Sequence, residues 1–167
     1  MGTQAIATAL TQWVDINILC GMSRLVPFEA TLEVRDACLC LHVQRAARAL
    51  ARRFDEALRP VGLTHGQFSL MMALNQPRSP TLGAVARLLA MDRTTLTAAL
   101  KPLERDGLVS IQAAPDDRRS RLLTLTGKGL EVLASAVPIW RDTHAAIEAG
   151  LPRAWPDALR AGLLALS

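Results

Sequence analysis

A mainly α fold with one small β-hairpin is what the sequence predicts, on three observations. The stretch from Thr81 to Val109, TLGAVARLLAMDRTTLTAALKPLERDGLV, carries the start and stop signals of two short helices with a tight turn between them. Two alternating runs follow, Leu108–Ile111 and Leu122–Thr126, joined by the polar QAAPDDRRSR. On both sides of this region lie longer stretches with apolar residues three and four apart, the mark of helices with one buried face.

The helix pair comes first. Its turn centres on Ala90 and Met91, and the second helix begins at Asp92, whose carboxylate can accept a hydrogen bond from the N–H of Thr94 or Thr95 and complement the helix dipole. Gly107 ends it, because glycine enters the left-handed conformation at little cost. Leu96, Leu100 and Leu103 form an inward stripe, while Arg93, Thr94, Thr97, Ala98 and Lys101 occupy the opposite side. Small, hydroxylic and cationic side chains on one helix face suit a DNA major groove. Pro102 costs roughly 3 kcal/mol mid-helix unless the helix bends there, so the direction of Lys101 depends on it.

Many helix pairs never touch DNA; the hairpin that follows discriminates. Arg118, Arg119 and Arg121 lie near its tip, where an arginine can enter the narrow, electronegative minor groove. The plainer alternative is a solvated hairpin whose aspartates neutralise its arginines. Order, spacing and charge together favour a winged helix-turn-helix over residues 61–126. The chain has a net charge of +4 and a pI near 9.6, and nine basic against five acidic residues fall between Arg78 and Lys128, so the excess lies in the winged segment.

Residues 1–34 carry no clear pattern. They lack the basic start and cleavage site of a secretory signal, so export is not expected. They read as a dimer-wrapping arm, a disordered tail or the product of too early a start codon. From Asp36 to Leu58 the apolar stripe Leu39, Val43, Ala46, Leu50, Phe54 and Ala57 predicts a long helix, closed by Pro60 and Gly62. Two more helices are expected, from Gly127 to about Ala149 and from about Arg153 to Leu166, with Pro138 bending or interrupting the first of them. Residues 35–60 and 127–167 then form a helical dimerisation region, since a long first helix beside a separate winged unit needs a second subunit to pack against. Half the residues are hydrophobic, yet no long uncharged apolar run suggests a membrane span. No nucleophile elbow, phosphate loop or H-E-x-x-H pair supports an enzyme.

Cys38, Cys40 and His42 form C-x-C-x-H. On one helix residue 40 points away from 38 and 42, so no metal site is expected. Three cysteines without an export signal indicate free thiols in a reducing cytoplasm.

VARLLAMDRTTLTAALKPLERDGLV and PDDRRSRLLTLTGKG resemble the helix-turn-helix and wing of the MarR family of transcriptional regulators, and the likeness extends in order from about Asp36 to Trp140. The resemblance implies a homodimer built from the first and last two helices, reading an inverted-repeat operator in double-stranded DNA. It places Arg93, Thr94, Thr95, Thr97 and Lys101 toward the major groove and Arg119 toward the minor groove, with Asp117 holding the wing and Arg118 or Arg121 on phosphates. Ala98 departs from the family, many of whose members carry arginine after the threonine. The family's effector cleft implies His42, Arg45, His65, Phe68, Met72, Trp140 and His144 as lining for an aromatic or phenolic effector, although Phe68 and Met72 equally suit a core and His65 an exposed cap. The hydroperoxide-sensing branch carries a reactive cysteine in a Leu-Cys context like Leu39-Cys40. Its tyrosines have no counterpart in this tyrosine-free chain, and packing as a small hydrophobe is the alternative for Cys40. The sequence thus reads as a cytoplasmic DNA-binding repressor without a cofactor, released by a small molecule. The other readings are a Cys40 redox sensor with the same DNA-binding mechanism and a winged-helix dimer acting only in protein binding.

Overall fold

The computed structural model describes residues 25–115, 117 and 120–166. The chain forms two compact units, one ending at Ala47 and the other beginning at Arg48.

In the first unit α1 spans Phe28–Ala37 and α2, Leu39–Leu58, begins. The sequence predicts one helix from Asp36, but the structure ends α1 at Ala37 and breaks the chain at Cys38, which is extended at φ −72° and ψ 105°. Cys38 serves both helices. Its N–H donates to Val34 O at 3.1 Å, its carbonyl accepts from His42 N at 3.1 Å, and its Sγ accepts from Leu41 N at 3.5 Å. Helix α1 escapes sequence reading because it buries none of its residues and has no side-chain cap, only Pro27 at its start.

The second unit continues α2 and adds a 3-10 turn, Arg59–Val61, then α3 (His65–Leu74), α4 (Leu82–Leu88), α5 (Arg93–Arg105), β1 (Val109–Ala113), β2 (Arg121–Leu125), α6 (Gly127–Ala149) and α7 (Trp155–Leu164). Thr64 and Gln67 close a reciprocal capping box on α3, and Asp55 Oδ1 accepts from His65 N at 2.6 Å. The strands pair antiparallel from Val109↔Leu125 to Ala113↔Arg121. A short third segment joins them: Thr81 bridges Leu122, and Leu123 N donates to Pro80 O at 3.0 Å. Fold class is therefore as the sequence predicts, mainly helical with one two-stranded hairpin.

The core lies where these elements meet. Leu58, Met71, Val85, Leu96, Leu100, Leu103 and Leu123 are fully enclosed, with Leu133 and Ala136 of α6 packed beside them. Burial of such side chains contributes roughly 1.5–3 kcal/mol each. Pro138 does not interrupt α6, which runs unbroken to Ala149. Only the bond to the carbonyl four residues earlier is lost, and that residue, Ala134, is exposed, so water can satisfy it. Pro102 sits inside the continuous α5 in the same way, four residues after the exposed Ala98. Among the described residues no helix is long and apolar enough to cross a membrane.

Candidate nucleic-acid interface

Three helix ends in the second unit share one geometry, and it aims the candidate binding helix. At the end of α5, Gly107 (φ 69°) donates to Glu104 O at 3.0 Å and Leu108 N donates to Leu103 O at 2.9 Å. Gly62 does the same after the 3-10 turn. At the end of α4 the left-handed position is taken by Ala90 (φ 50°), with Ala90 N on Arg87 O at 3.2 Å and Met91 N on Ala86 O at 2.9 Å. These paired bonds satisfy the last helical carbonyls and turn the chain sharply. An alanine there is strained, and the core contacts of Val85 and Leu96 on either side hold it in place.

Asp92 then starts α5. Its Oδ1 accepts from Thr95 N at 2.8 Å and its Oδ2 from the Thr95 hydroxyl at 2.5 Å. The Thr95 hydroxyl, followed by its backbone N–H, holds the Asp92 carboxyl below the usual carboxylate range. With Leu96, Leu100 and Leu103 fully buried, the opposite face is fixed outward, and Arg93, Thr94, Thr97, Ala98 and Lys101 form one continuous surface on it. Thr95, expected from sequence on that surface, spends its hydroxyl proton on the cap instead. Thr97 donates its hydroxyl to Arg93 O at 2.7 Å, which leaves Oγ1 as an acceptor and the methyl free to face outward.

Beside this surface lies a polar cleft of about 310 Å3 between the start of α4, the start of α5 and the hairpin, lined by Thr81, Gly83, Arg87, Arg93, Asp117 and Arg121 among others. Arg87 is not legible as a site residue in the sequence, since VARLLAM shows only a helical arginine and its value comes from what the fold sets next to it. Arg118 and Arg119 lie outside the described residues.

The expected effector residues divide. Phe68, Trp140 and His144 form a column of rings, with centroids 6.2 Å apart for Phe68 and Trp140 and 4.9 Å for Trp140 and His144. The His65 ring lies tilted against Phe54 with centroids 5.3 Å apart, and Met72 is exposed on α3. His42 and Arg45 belong to the first unit, where both are exposed and His42 Nδ1 lies 2.9 Å from Cys38 O. Cys40 is also exposed there and its Sγ accepts from Gln44 Nε2 at 3.2 Å. Among the described residues no three His, Cys, Asp or Glu side chains gather as a metal site would require.

A turn-linked helix pair followed by a hairpin packed against it defines a winged helix-turn-helix. The model of the MarR family matches residues 63–120, which span α3 through the hairpin. Two solved structures are similar over most of this chain. A Mycobacterium tuberculosis transcriptional regulator, MosR, solved with DNA, is 39% identical, with a TM-score of 0.67 over 77% of this chain and 96% of that one. The transcriptional repressor CouR, bound to a 23-mer DNA duplex, is 31% identical, with a TM-score of 0.71 over 80% and 94%. The transcriptional activatory protein BadR of Rhodopseudomonas palustris is 34% identical over 107 residues, 62% of this chain and 61% of BadR, so the match spans about six tenths of that relative. The chain belongs to the MarR family of winged-helix transcriptional regulators.

Proposed function

We propose that this protein is a cytoplasmic, homodimeric transcriptional regulator, acting as a repressor, that binds an inverted-repeat operator and is released by a small aromatic or phenolic effector. The observation that carries the DNA-binding reading is the outward surface of α5: a hydroxylic and cationic face without bulk, held by a capped start, a glycine stop and three buried leucines. Such a face offers acceptors and a methyl to base edges and cations to phosphates.

Exposed apolar side chains support the dimer. Leu39, Val43 and Leu50 of α2 stand in solvent, as do Trp155, Leu159 and Leu163 of α7, and a second subunit is the simplest cover for each stripe. For the effector, Trp140 and His144 offer partly exposed ring faces and a ring nitrogen beside Phe68, which is itself buried in the core; such rings suit an aromatic acid or phenol. An effector that favours the wrong separation of the two recognition helices removes the gain of binding both half-sites together.

The test is selection of duplexes retained by the purified protein, followed by affinity measured against salt. The expected result is a recovered inverted repeat whose binding falls steeply with salt, roughly tenfold or more per few-fold rise in concentration. A stable monomer in sedimentation, or no duplex retained at low ionic strength, refutes the reading.

A further inference from the structure

The cleft between the helix pair and the hairpin has a charge arrangement that the major-groove role of α5 does not account for. Among the described residues three guanidinium groups line it, those of Arg87, Arg93 and Arg121, and one carboxylate, that of Asp117. None of the ion pairs found among the described residues uses any of the three arginines. Two of them converge on one point. A side chain grown from Gly83 would place its first carbon 3.3 Å from Arg93 Nη2 and 4.0 Å from Arg87 Nη1. Both guanidiniums thus reach into the space that Gly83 leaves open. Like charges this close repel, and an anion seated between them relieves both.

We propose that this cleft is a phosphate-binding site, with Arg87, Arg93 and Arg121 as its donors and the hydroxyls of Thr81 and Ser120 at its wall. Forked guanidiniums match the oxygens of a phosphate in a way that a lysine cannot, and both lysines of the chain, Lys101 and Lys128, lie outside the cleft. The assignment rests on the DNA-binding reading where the phosphate belongs to a duplex backbone, and stands apart from it where the phosphate is free. Arg93 thereby gains a second role. Its guanidinium reaches Gly83 at the cleft while Arg93 also borders the outward face of α5, so Arg93 positions the duplex beside Thr94, Thr97 and Lys101, which read it. A free phosphate or phosphate monoester in the same cleft competes with DNA directly, with no change in helix separation.

The full chain and its Arg87→Gln variant test this with two probes. Arg87 is exposed on α4 and outside the core, so the variant is expected to fold, with an unchanged thermal midpoint as the check. In the first arm duplex affinity is measured against chloride concentration; loss of one backbone contact weakens all sequences alike and lowers the salt slope by about one. In the second, inorganic phosphate replaces chloride at fixed ionic strength, and phosphorus resonance broadening reports binding to the protein without DNA. Phosphate is expected to broaden and to compete with wild type several-fold better than chloride, and to do neither with Arg87→Gln. A lowered slope alone assigns the cleft to the backbone phosphate; broadening alone, lost in the variant, assigns it to a free one. An unchanged slope together with equal behaviour of phosphate and chloride overturns the site. Should wild type bind no duplex at all, the regulator reading fails, and the phosphorus measurement still decides the cleft.

Discussion

Gly129→Ala puts the junction between the long helix α6 and the hairpin to a quantitative test. An added methyl at Gly129 would lie 2.1 Å from Leu108 O and 3.0 Å from Leu108 C, where ordinary contact begins near 3.4 Å, so one backbone must move by more than an ångström. Neither side is free to yield. Leu108 O also accepts from Thr126 N at 3.1 Å, and Thr126 Oγ1 both donates to Gly107 O at 2.7 Å and accepts from Gly129 N at 3.0 Å. Overpacking of this kind costs about 1–3 kcal/mol, and disturbing the Thr126 cap adds about 1 kcal/mol. Greater helix propensity of alanine returns about 0.5–1 kcal/mol. The net expectation is a loss of about 1–3 kcal/mol, a fall in thermal midpoint of roughly 2–12 °C for a chain of this size. Gly66→Ala in α3 is the control, since a methyl there meets nothing within 4 Å and is expected to stabilise by about 0.4–1 kcal/mol. Both are read by calorimetry at matched protein concentration, since the midpoint of a self-associating chain depends on it. A midpoint for Gly129→Ala equal to or above wild type, with Gly66→Ala rising as expected, refutes the close approach.

Further expectations concern α5 and its approach. Ala90→Gly removes left-handed strain of about 1–2 kcal/mol and gives back about 0.4–1 kcal/mol in the unfolded chain, so the thermal midpoint should rise slightly; a lower one contradicts the φ of 50°. Because folding lowers the Asp92 pKa, the stabilisation it provides is fully present above the unfolded value near 3.8 and fades as pH falls through the lower folded value. Thermal midpoints of wild type and Asp92→Ala should therefore converge in strong acid, and a constant gap down to that range removes the carboxylate from the account. Thr97→Ala should lose discrimination among single-base operator variants more than general affinity, because its outward oxygen accepts and its methyl packs. Equal losses on every variant would make Thr97 a backbone contact. Leu100→Ala, at a fully buried site, should cost about 2–5 kcal/mol in denaturant unfolding, and a loss below about 1 kcal/mol would mean that the stripe is not core.

What was legible in the sequence is what local chemistry dictates. Asp92, Gly107 and three leucines at helical spacing define α5 without reference to any other element, and the alternating strands with their polar loop define the hairpin. Less legible were features that depend on neighbours far along the chain. Pro80 and Thr81 join the sheet edge through one bridge and one hydrogen bond, too short for any periodicity to show. Arg87 gains its place from Gly83, Arg93 and the hairpin. Phe28–Ala37 is helical without a buried stripe, so the pattern on which helix reading depends is missing. Of the two outcomes expected at Pro138, interruption does not occur: the carbonyl it leaves without a partner, that of Ala134, is on an exposed residue open to water, and α6 continues to Ala149.

The attachment of α6 to the end of α5 has a mechanical consequence. Lys128 Nζ donates to Asp106 O at 2.9 Å, beside the Thr126 bonds to Gly107 and Leu108, so a shaft of 23 residues is pinned at its base to the tail of a 13-residue rod. At 1.5 Å per residue the shaft is about 34 Å long, and a swing of its far tip by several ångströms becomes a rotation of only about ten degrees at the pin. Were the shaft to swing as one rigid body, a broad displacement at its distal end would reach the rod as a small turn.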